Sequence, residues 1–187
     1  MVTVGVLALQ GGVREHLQLL ESLGVDGIAV KTEQDLETIS GLIIPGGEST
    51  TISKLLKEFN LNNAILNKIS NGMPILGTCA GLILLSSKVD GDEGHFKVLD
   101  CSVIRNAYGA QLASGEALVS YENGDEEKAA FIRAPKISSI GDSRAIAWVG
   151  DEIVGIQKGN ILAASFHPEL TNSTTLHRKL IELIKAN

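Results

Sequence analysis

"PILGTCAGLILL", residues 74–85, sets two apolar runs on either side of Gly77-Thr78-Cys79-Ala80-Gly81. The first run is short and bounded by proline and glycine, which reads as a buried strand; the second reads as the start of a short helix. A strand that enters G-x-C-x-G and leaves as a helix has the form of a nucleophile elbow. The glycines permit the sharp turn and close packing that present Cys79 at the strand's C-terminal edge. There the thiol meets a helix N-terminus, where the dipole and free N–H groups favour negative sulfur. The N–H of Ala80 faces the place where an oxyanion would develop. The same pattern also suits a small buried cysteine, and taken alone it leaves both readings open.

Working outward, the first half alternates Val/Ile-rich runs with helical patterns. "VTVGVLAL" is followed by a helix over Val13–Leu23, then "GIAV", "GLIIP", a helical region from Thr50 to Ser70, and "PILG". Strand, helix, strand at this spacing predicts right-handed crossovers and a parallel sheet. In the first helix Val13, Leu17, Leu20 and Leu23 form one stripe opposite Arg14, Glu15 and Gln18, so that helix covers the sheet. The second half changes to short strand-like pieces, "CSVIRNA", "EALVSY", "AAFIRAP", "AIAWVG", "EIVGIQKG" and "NILAASF", separated by turn signals such as Asn123-Gly124. These predict an antiparallel elaboration that returns to the main sheet. A closing helix carries Leu176, Leu180, Leu183 and Ile184 at helical spacing, with Thr171 and Asn172 as N-cap types before it. The fold class is therefore α/β, a mostly parallel central sheet with helices on both faces and an antiparallel elaboration in the second half. Its 187 residues are expected to form a single domain spanning 1–187.

Composition narrows the function. The net charge is -6 and no basic stripe interrupts it, so nucleic acid is not an expected partner. "MVTVGVLALQGG" lacks a basic leader, and its glycines and Gln10 break it well short of the ~20 apolar residues of a membrane span. It reads as the first strand of a cytoplasmic protein with no membrane role. Two cysteines, Cys79 and Cys101, make no disulfide framework, and nothing in their spacing suggests a zinc or other metal site.

A thiol nucleophile needs a base, and four histidines are available. His16 lies on the first helix, His95 in an acidic loop, and His177 on what reads as the exposed side of the last helix. His167 ends the strand "ILAASF" at "SFHPEL", where Pro168 turns the chain and brings Glu169 within reach of the ring's second nitrogen. A carboxylate there fixes the tautomer and stabilises the imidazolium, the orienting role in a triad. "LIIPGGESTT", residues 42–51, ends a strand in a turn whose backbone N–H groups suit a second oxyanion donor and a small carboxylate or amino-acid backbone. It lacks the lysine and spacing of a phosphate loop. Arg105 in "VIRNAYG" and Arg133 in "FIRAP" stand at strand ends and suit bidentate grip of a carboxylate.

"GVLALQGGVREH", "GLIIPGGESTTI", "GTCAGLILL", "RNAYG", "FIRAP" and "SFHPEL", in this order from the first strand to the last helix, resemble the glutaminase subunits of pyridoxal 5'-phosphate synthase. These lie within the class I, triad-type glutamine amidotransferases. "GTCAG" and "HPE" identify the class; "LQGGVREH", "PGGESTT" and "FIRAP" are the more specific signals. The resemblance implies a three-layer, flavodoxin-like glutaminase fold that needs no cofactor. It implies that Cys79 attacks the amide of L-glutamine, His167 passes a proton to the leaving ammonia, and Glu169 orients His167. It carries Gly46, Gly47, Glu48, Ser49, Arg105, Ile132 and Arg133 into the glutamine site, with Gly47 and Ala80 near the oxyanion. It implies ammonia delivery to a separate barrel-shaped synthase subunit in a large hetero-oligomer. Gly12, Ala110 and Gly115 depart from the family's usual residues, none of them in the triad.

Other readings fit parts of the pattern: a glutaminase subunit of another amidotransferase, such as that of imidazole glycerol phosphate synthase, or a cysteine hydrolase or chaperone-like protein of the same fold group. A flavodoxin-like binding module is the non-enzymatic alternative. Labelling of Cys79 by 6-diazo-5-oxonorleucine is expected of a glutaminase and not of the cysteine hydrolase or chaperone-like protein, and a binding module predicts that Cys79→Ala changes nothing beyond stability.

Overall fold

A computed structural model describes residues 2–107 and 114–187 of the chain. In order, its elements are β1 (Thr3–Leu7), α1 (Val13–Ser22), β2 (Asp26–Val30), α2 (Glu33–Glu37), β3 (Gly41–Ile44), α3 (Ser49–Glu58), α4 (Leu61–Ser70), β4 (Ile75–Thr78), α5 (Ala80–Leu85), β5 (Ser86–Val89) and β6 (Asp92–Glu93). Then come β7 (Leu99–Ile104), β8 (Ser114–Tyr121), β9 (Glu126–Ile132), β10 (Lys136–Ser139), β11 (Arg144–Val149), β12 (Glu152–Lys158), β13 (Ile161–Ala164), a 3-10 turn (Pro168–Leu170) and α6 (Thr175–Ala186).

Among the described residues, nine strands form one sheet in the order β2-β1-β3-β4-β13-β12-β11-β8-β9. The β2-β1-β3-β4-β13 half is parallel, and the remainder is the expected antiparallel elaboration. The last piece, β13, returns to pair in parallel with β4, Ala164 against Thr78. A second, small sheet in the order β10-β7-β5-β6 carries "CSVIRNA", which therefore does not join the main sheet.

Period-two alternation in the central strands explains the layers. Leu42, Ile44, Ile75 and Ala163 face a core shared with Leu36 of α2, Ile52 and Leu56 of α3, Leu61 and Ile65 of α4, and the small sheet. Ile43, Leu76, Leu162 and Ala164 face the other core, with Leu17 and Leu20 of α1 and Leu176 and Leu180 of α6. The helical region from Thr50 to Ser70 is two helices, because Asn60 takes a left-handed conformation, φ 57°, between them.

Two further expectations are corrected. His177 is fully buried rather than exposed, because α6 turns that face onto α1, where the His177 ring meets His16, itself fully buried. The helix α6 begins at Thr175, not after Thr171 or Asn172, because a carboxylate from elsewhere in the chain caps it. Glu127 of β9 accepts the backbone N–H of Thr174 at 3.0 Å and of Thr175 at 3.2 Å, and the Ser173 hydroxyl also donates to it. Of the three departures from the resemblance, Gly12 caps α1 at its N-terminus and Gly115 lies exposed on β8. Ala110 lies outside the described residues.

Partial burial works to raise the Glu127 pKa, but the hydrogen bonds from Ser173, Thr174 and Thr175 outweigh it and hold the carboxyl below the ordinary 4.5. A group depressed in the folded state adds stability above its unfolded pKa, and that stability is lost as pH falls through the folded value. Glu127→Gln is expected to lower stability by about 1 kcal/mol at neutral pH, the scale of a lost helix cap. The gap between the two proteins should close in acid below the ordinary carboxylate range, as read by urea unfolding at both conditions.

Candidate active site

The parallel strands deliver their C-terminal ends to one edge, the usual location of sites in open α/β sheets. Thr78, at the end of β4, passes the chain to Cys79, whose backbone sits at φ 48°, ψ -100°. Positive φ in a non-glycine residue costs on the order of 1–3 kcal/mol and persists only where its surroundings impose it. Here the Cys79 N–H donates to the Ala164 carbonyl at 2.8 Å, and the Cys79 carbonyl accepts the Ile83 N–H at 3.2 Å as α5 begins. The turn closes tightly because Gly81 has no Cβ; one would stand 2.1 Å from the Ile44 carbonyl oxygen. The Cys79 thiol is nearly buried and lies 3.9 Å from the Ile132 carbonyl.

His167 follows β13 and is fixed through its backbone: its N–H donates to the Ala130 carbonyl at 2.8 Å, an antiparallel bridge to β9. The Pro168 turn brings Glu169 back so that His167 Nδ1–H donates to Glu169 Oε1 at 2.9 Å. The Glu169 side chain is only 1% exposed. Burial alone would lower the His167 pKa; hydrogen bonds to Cys79 and Glu169, reinforced by their charges, outweigh it and raise it. The ring is thus held between a thiol and a buried carboxylate, with a strong preference for carrying a proton.

Gly47, Glu48, Ser49, Cys79, Ile83, Arg105, Asn106, Ile132, Arg133 and His167 line one cavity of about 160 Å³. That is small beside the roughly 300–1,000 Å³ of drug-sized sites, and it suits a compact metabolite. Of the residues singled out in the sequence, Gly46, Ala80 and Glu169 are not part of this lining. Gly46 backs His167 directly: a Cβ there would lie 2.3 Å from the ring's Cε1 and 2.7 Å from Nδ1. Both arginines reach the cavity already paired, Arg133 Nη1 with Glu48 Oε1 at 2.8 Å and Arg105 Nη1 with Asp90 Oδ2 at 3.1 Å. His95 is elsewhere, hydrogen-bonded to Ser53 and Asn62.

Sequence reasoning missed Ile83, Asn106 and Gln10. Ile83 follows Cys79 by one helical turn, so it projects from the same short helix. Gln10 Oε1 accepts the Glu48 N–H at 2.7 Å and so pins the "PGGE" turn. A polar residue just beyond the end of β1 was the available signal, since that is where the sheet edge opens.

The geometry suits acyl transfer: a thiol at an elbow, an imidazole oriented by a buried carboxylate, and a small polar cavity beside them. The chain is matched over residues 6–186 by the SNO glutamine amidotransferase family. It is 47% identical over 187 residues to "Pyridoxal 5'-phosphate synthase subunit PdxT" of Clostridium botulinum, covering 97% of each chain. It is 44% identical over 188 residues to the same-named protein of Halalkalibacterium halodurans, covering 99% of this chain and 96% of the other. A solved structure described as a glutamine amidotransferase superposes with a TM-score of 0.92 at 40% identity, over 97% of this chain and 98% of that one. A more distant glutamine amidotransferase from Thermotoga maritima shares the fold, TM-score 0.62 at 18% identity, over 100% of this chain and 86% of that one.

Gly46→Ala is expected to fold but to displace the His167 ring. Alkylation of Cys79 by iodoacetamide at neutral pH should then slow on the order of 100-fold, the scale of a lost general base. Mass spectrometry of the modified peptide reads it, with Cys101 as the buried reference.

Proposed function

The chain belongs to the SNO glutamine amidotransferase family, and on that premise we propose that it hydrolyses L-glutamine to L-glutamate and ammonia through Cys79, His167 and Glu169, supplying the ammonia to a synthase subunit that makes pyridoxal 5'-phosphate. The observation that carries the reading is the His167 ring held between Cys79 and the buried Glu169 carboxylate.

Cys79 Sγ attacks the side-chain amide carbon of glutamine, and His167 holds the proton that leaves the thiol. Negative charge collects on the amide oxygen, where the Ala80 N–H and the peptide at Gly47 stabilise it. Collapse expels nitrogen, which takes the proton from His167 and departs as ammonia, leaving a glutamyl thioester on Cys79. Water, deprotonated by His167, then releases glutamate and restores the thiol. Glu169 keeps the imidazolium oriented throughout. Glu48, Ser49, Arg105, Ile132 and Arg133 hold the amino-acid end, the arginines through its carboxylate.

Ammonia in neutral water is mostly protonated and a poor nucleophile, so hydrolysis without a docked acceptor is wasteful. That supports delivery to a barrel-shaped synthase within a large hetero-oligomer. It also supports gating: in the free subunit Gln10 holds the Glu48 N–H, and docking would reorient the peptide near Gly47 to complete the oxyanion site.

Glutamate release from glutamine is measured with and without the synthase subunit. Stimulation by the synthase is expected, with Cys79→Ala and His167→Asn reduced to background and Glu169→Gln reduced by up to roughly 10⁴-fold. The glutamine analogue 6-diazo-5-oxonorleucine should label Cys79. Undiminished release by Cys79→Ala would sink the mechanism; stimulation only by a different acceptor would keep the chemistry and move the pathway.

A further inference from the structure

Glu169 has two carboxylate oxygens, and the triad uses one. The other, Oε2, is buried without a hydrogen-bond partner inside ordinary limits, yet His16 Nε2 of α1 stands 3.4 Å from it. His16 Nδ1 in turn lies 2.9 Å from His177 Nε2 of α6. Both rings are fully buried, and His177 Nδ1, at the far end, also lacks a partner. A line of side chains therefore runs from Cys79 through His167, Glu169 and His16 to His177, crossing three elements. Resting on the glutaminase reading above, we propose that His16 is a positioning residue for Glu169, donating from Nε2–H to Oε2 while its Nδ1 accepts from His177 Nε2–H.

Two orphaned atoms, Glu169 Oε2 and His177 Nδ1, stand on either side of His16 and its contact with His177 and favour one direction for the line. Reversed, His16 would donate from Nδ1 and turn a lone pair from Nε2 toward a carboxylate, leaving Oε2 facing repulsion in a dry site. His177 would then carry a proton on Nδ1 with no acceptor, and buried N–H groups without partners are rarer than buried acceptors without them. Thr78 Oγ1, 3.3 Å from His16 Nε2, can share that proton as a second acceptor in the chosen direction. On its other side Glu169 meets Gly12, which offers no side chain; a Cβ there would lie 3.1 Å from Oε1. No other donor reaches Oε2 among the described residues.

The charged and titratable groups around His16 are Glu169 from the 3-10 turn, His167 beyond it, His177 from α6 and Glu15 on its own helix; Glu127 of β9 acts on His177. Burial, and then the charges of His177 and His167, hold His16 well below its ordinary pKa. Burial likewise pulls His177 down to about 4, against the opposing pull of Glu127. Both rings stay neutral when His167 is protonated. The positive charge of the reaction is then confined to His167, and the second oxygen of Glu169 faces a neutral donor rather than a second cation.

The test uses the full chain with ¹⁵N-labelled histidine rings. In the wild type, His16 should remain neutral with its proton on Nε2 from mildly acidic to alkaline pH; a proton on Nδ1 overturns the proposal. The His167 titration is then followed in His16→Gln, whose amide nitrogen can take the place of Nε2, and in His16→Asn, whose shorter side chain withdraws the donor from Glu169. His16→Asn should lower the His167 pKa by about one unit, a tenfold loss in imidazolium stability. Synthase-stimulated kcat should fall by about the same factor with KM unchanged, and His16→Gln should restore both. A lowered melting temperature with an unmoved His167 titration would mean packing alone and would also overturn it. Should His16→Asn fail to fold, the wild-type tautomer decides. The NMR readings need no glutamine, so release of glutamate by Cys79→Ala would defeat the glutaminase reading while leaving the His16 result to stand or fall separately.

Discussion

The constraint on which the site depends is the turn at Cys79. Its backbone occupies a conformation that a cysteine does not choose, so the surrounding chain has to impose it. A hydrogen bond to Ala164 holds the front of the turn, the first bond of α5 holds the back, and contact of Gly81 with the Ile44 carbonyl holds the side. All three contacts come from the parallel strands β3 and β13 or from the helix they support. Pairing of β4 between those two strands is therefore what aims the thiol, and the two cores above and below the sheet are what keep β4 there.

Electrostatics around the turn follow from burial. A carboxylate that is almost wholly out of water is tolerable only if its oxygens are satisfied. His167 satisfies one oxygen of Glu169, and against burial its proton affinity is raised first by the hydrogen bond to Cys79 and then by the one to Glu169. The helices α1 and α6, which from their apolar stripes look like covers for one face of the sheet, also bring one imidazole, His16, to 3.4 Å from the other oxygen, with His177 behind it. A covering helix thus contributes to the dielectric and to the hydrogen-bond supply of the site, and the two roles cannot be separated by position along the chain.

What could be read in the sequence was whatever local spacing encodes. The elbow, the strand-ending "HPE", the "PGGEST" turn, the parallel half-sheet and the helices on both faces are all short-range patterns, and the structure places Cys79, His167 and Glu169 together. What escaped depends on distant partners. His177 looks solvent-facing on a helical wheel because histidine counts as polar, and only its neighbour on α1 makes that face internal. The start of α6 could not be read from Thr171 or Asn172, since the group that caps it lies on β9 and no local signal announces it. The short helix α2 has its own capping box at Thr32 and Asp35, a signal that was present and passed over. Assignment of "CSVIRNA" to the small sheet was beyond strand propensity, which marks a strand without naming its partner.

The edge strand β9 shows why the antiparallel half belongs to the active site as much as to the architecture. Glu127 near its start caps α6, the helix that carries His177. Ala130 in its middle bridges to the His167 backbone and sets where the ring begins. Ile132 at its end brings a carbonyl near Cys79 and a side chain into the cavity, and Arg133 follows it in a left-handed conformation that turns the guanidinium onto Glu48. One seven-residue strand thus connects helix capping, imidazole placement and cavity lining at successive positions. A shift of its register by one residue would reverse which side chains face the core and move all three functions together. Its eight-residue partner β8, paired from Ser114↔Ile132 to Ser120↔Glu126, is what holds that register.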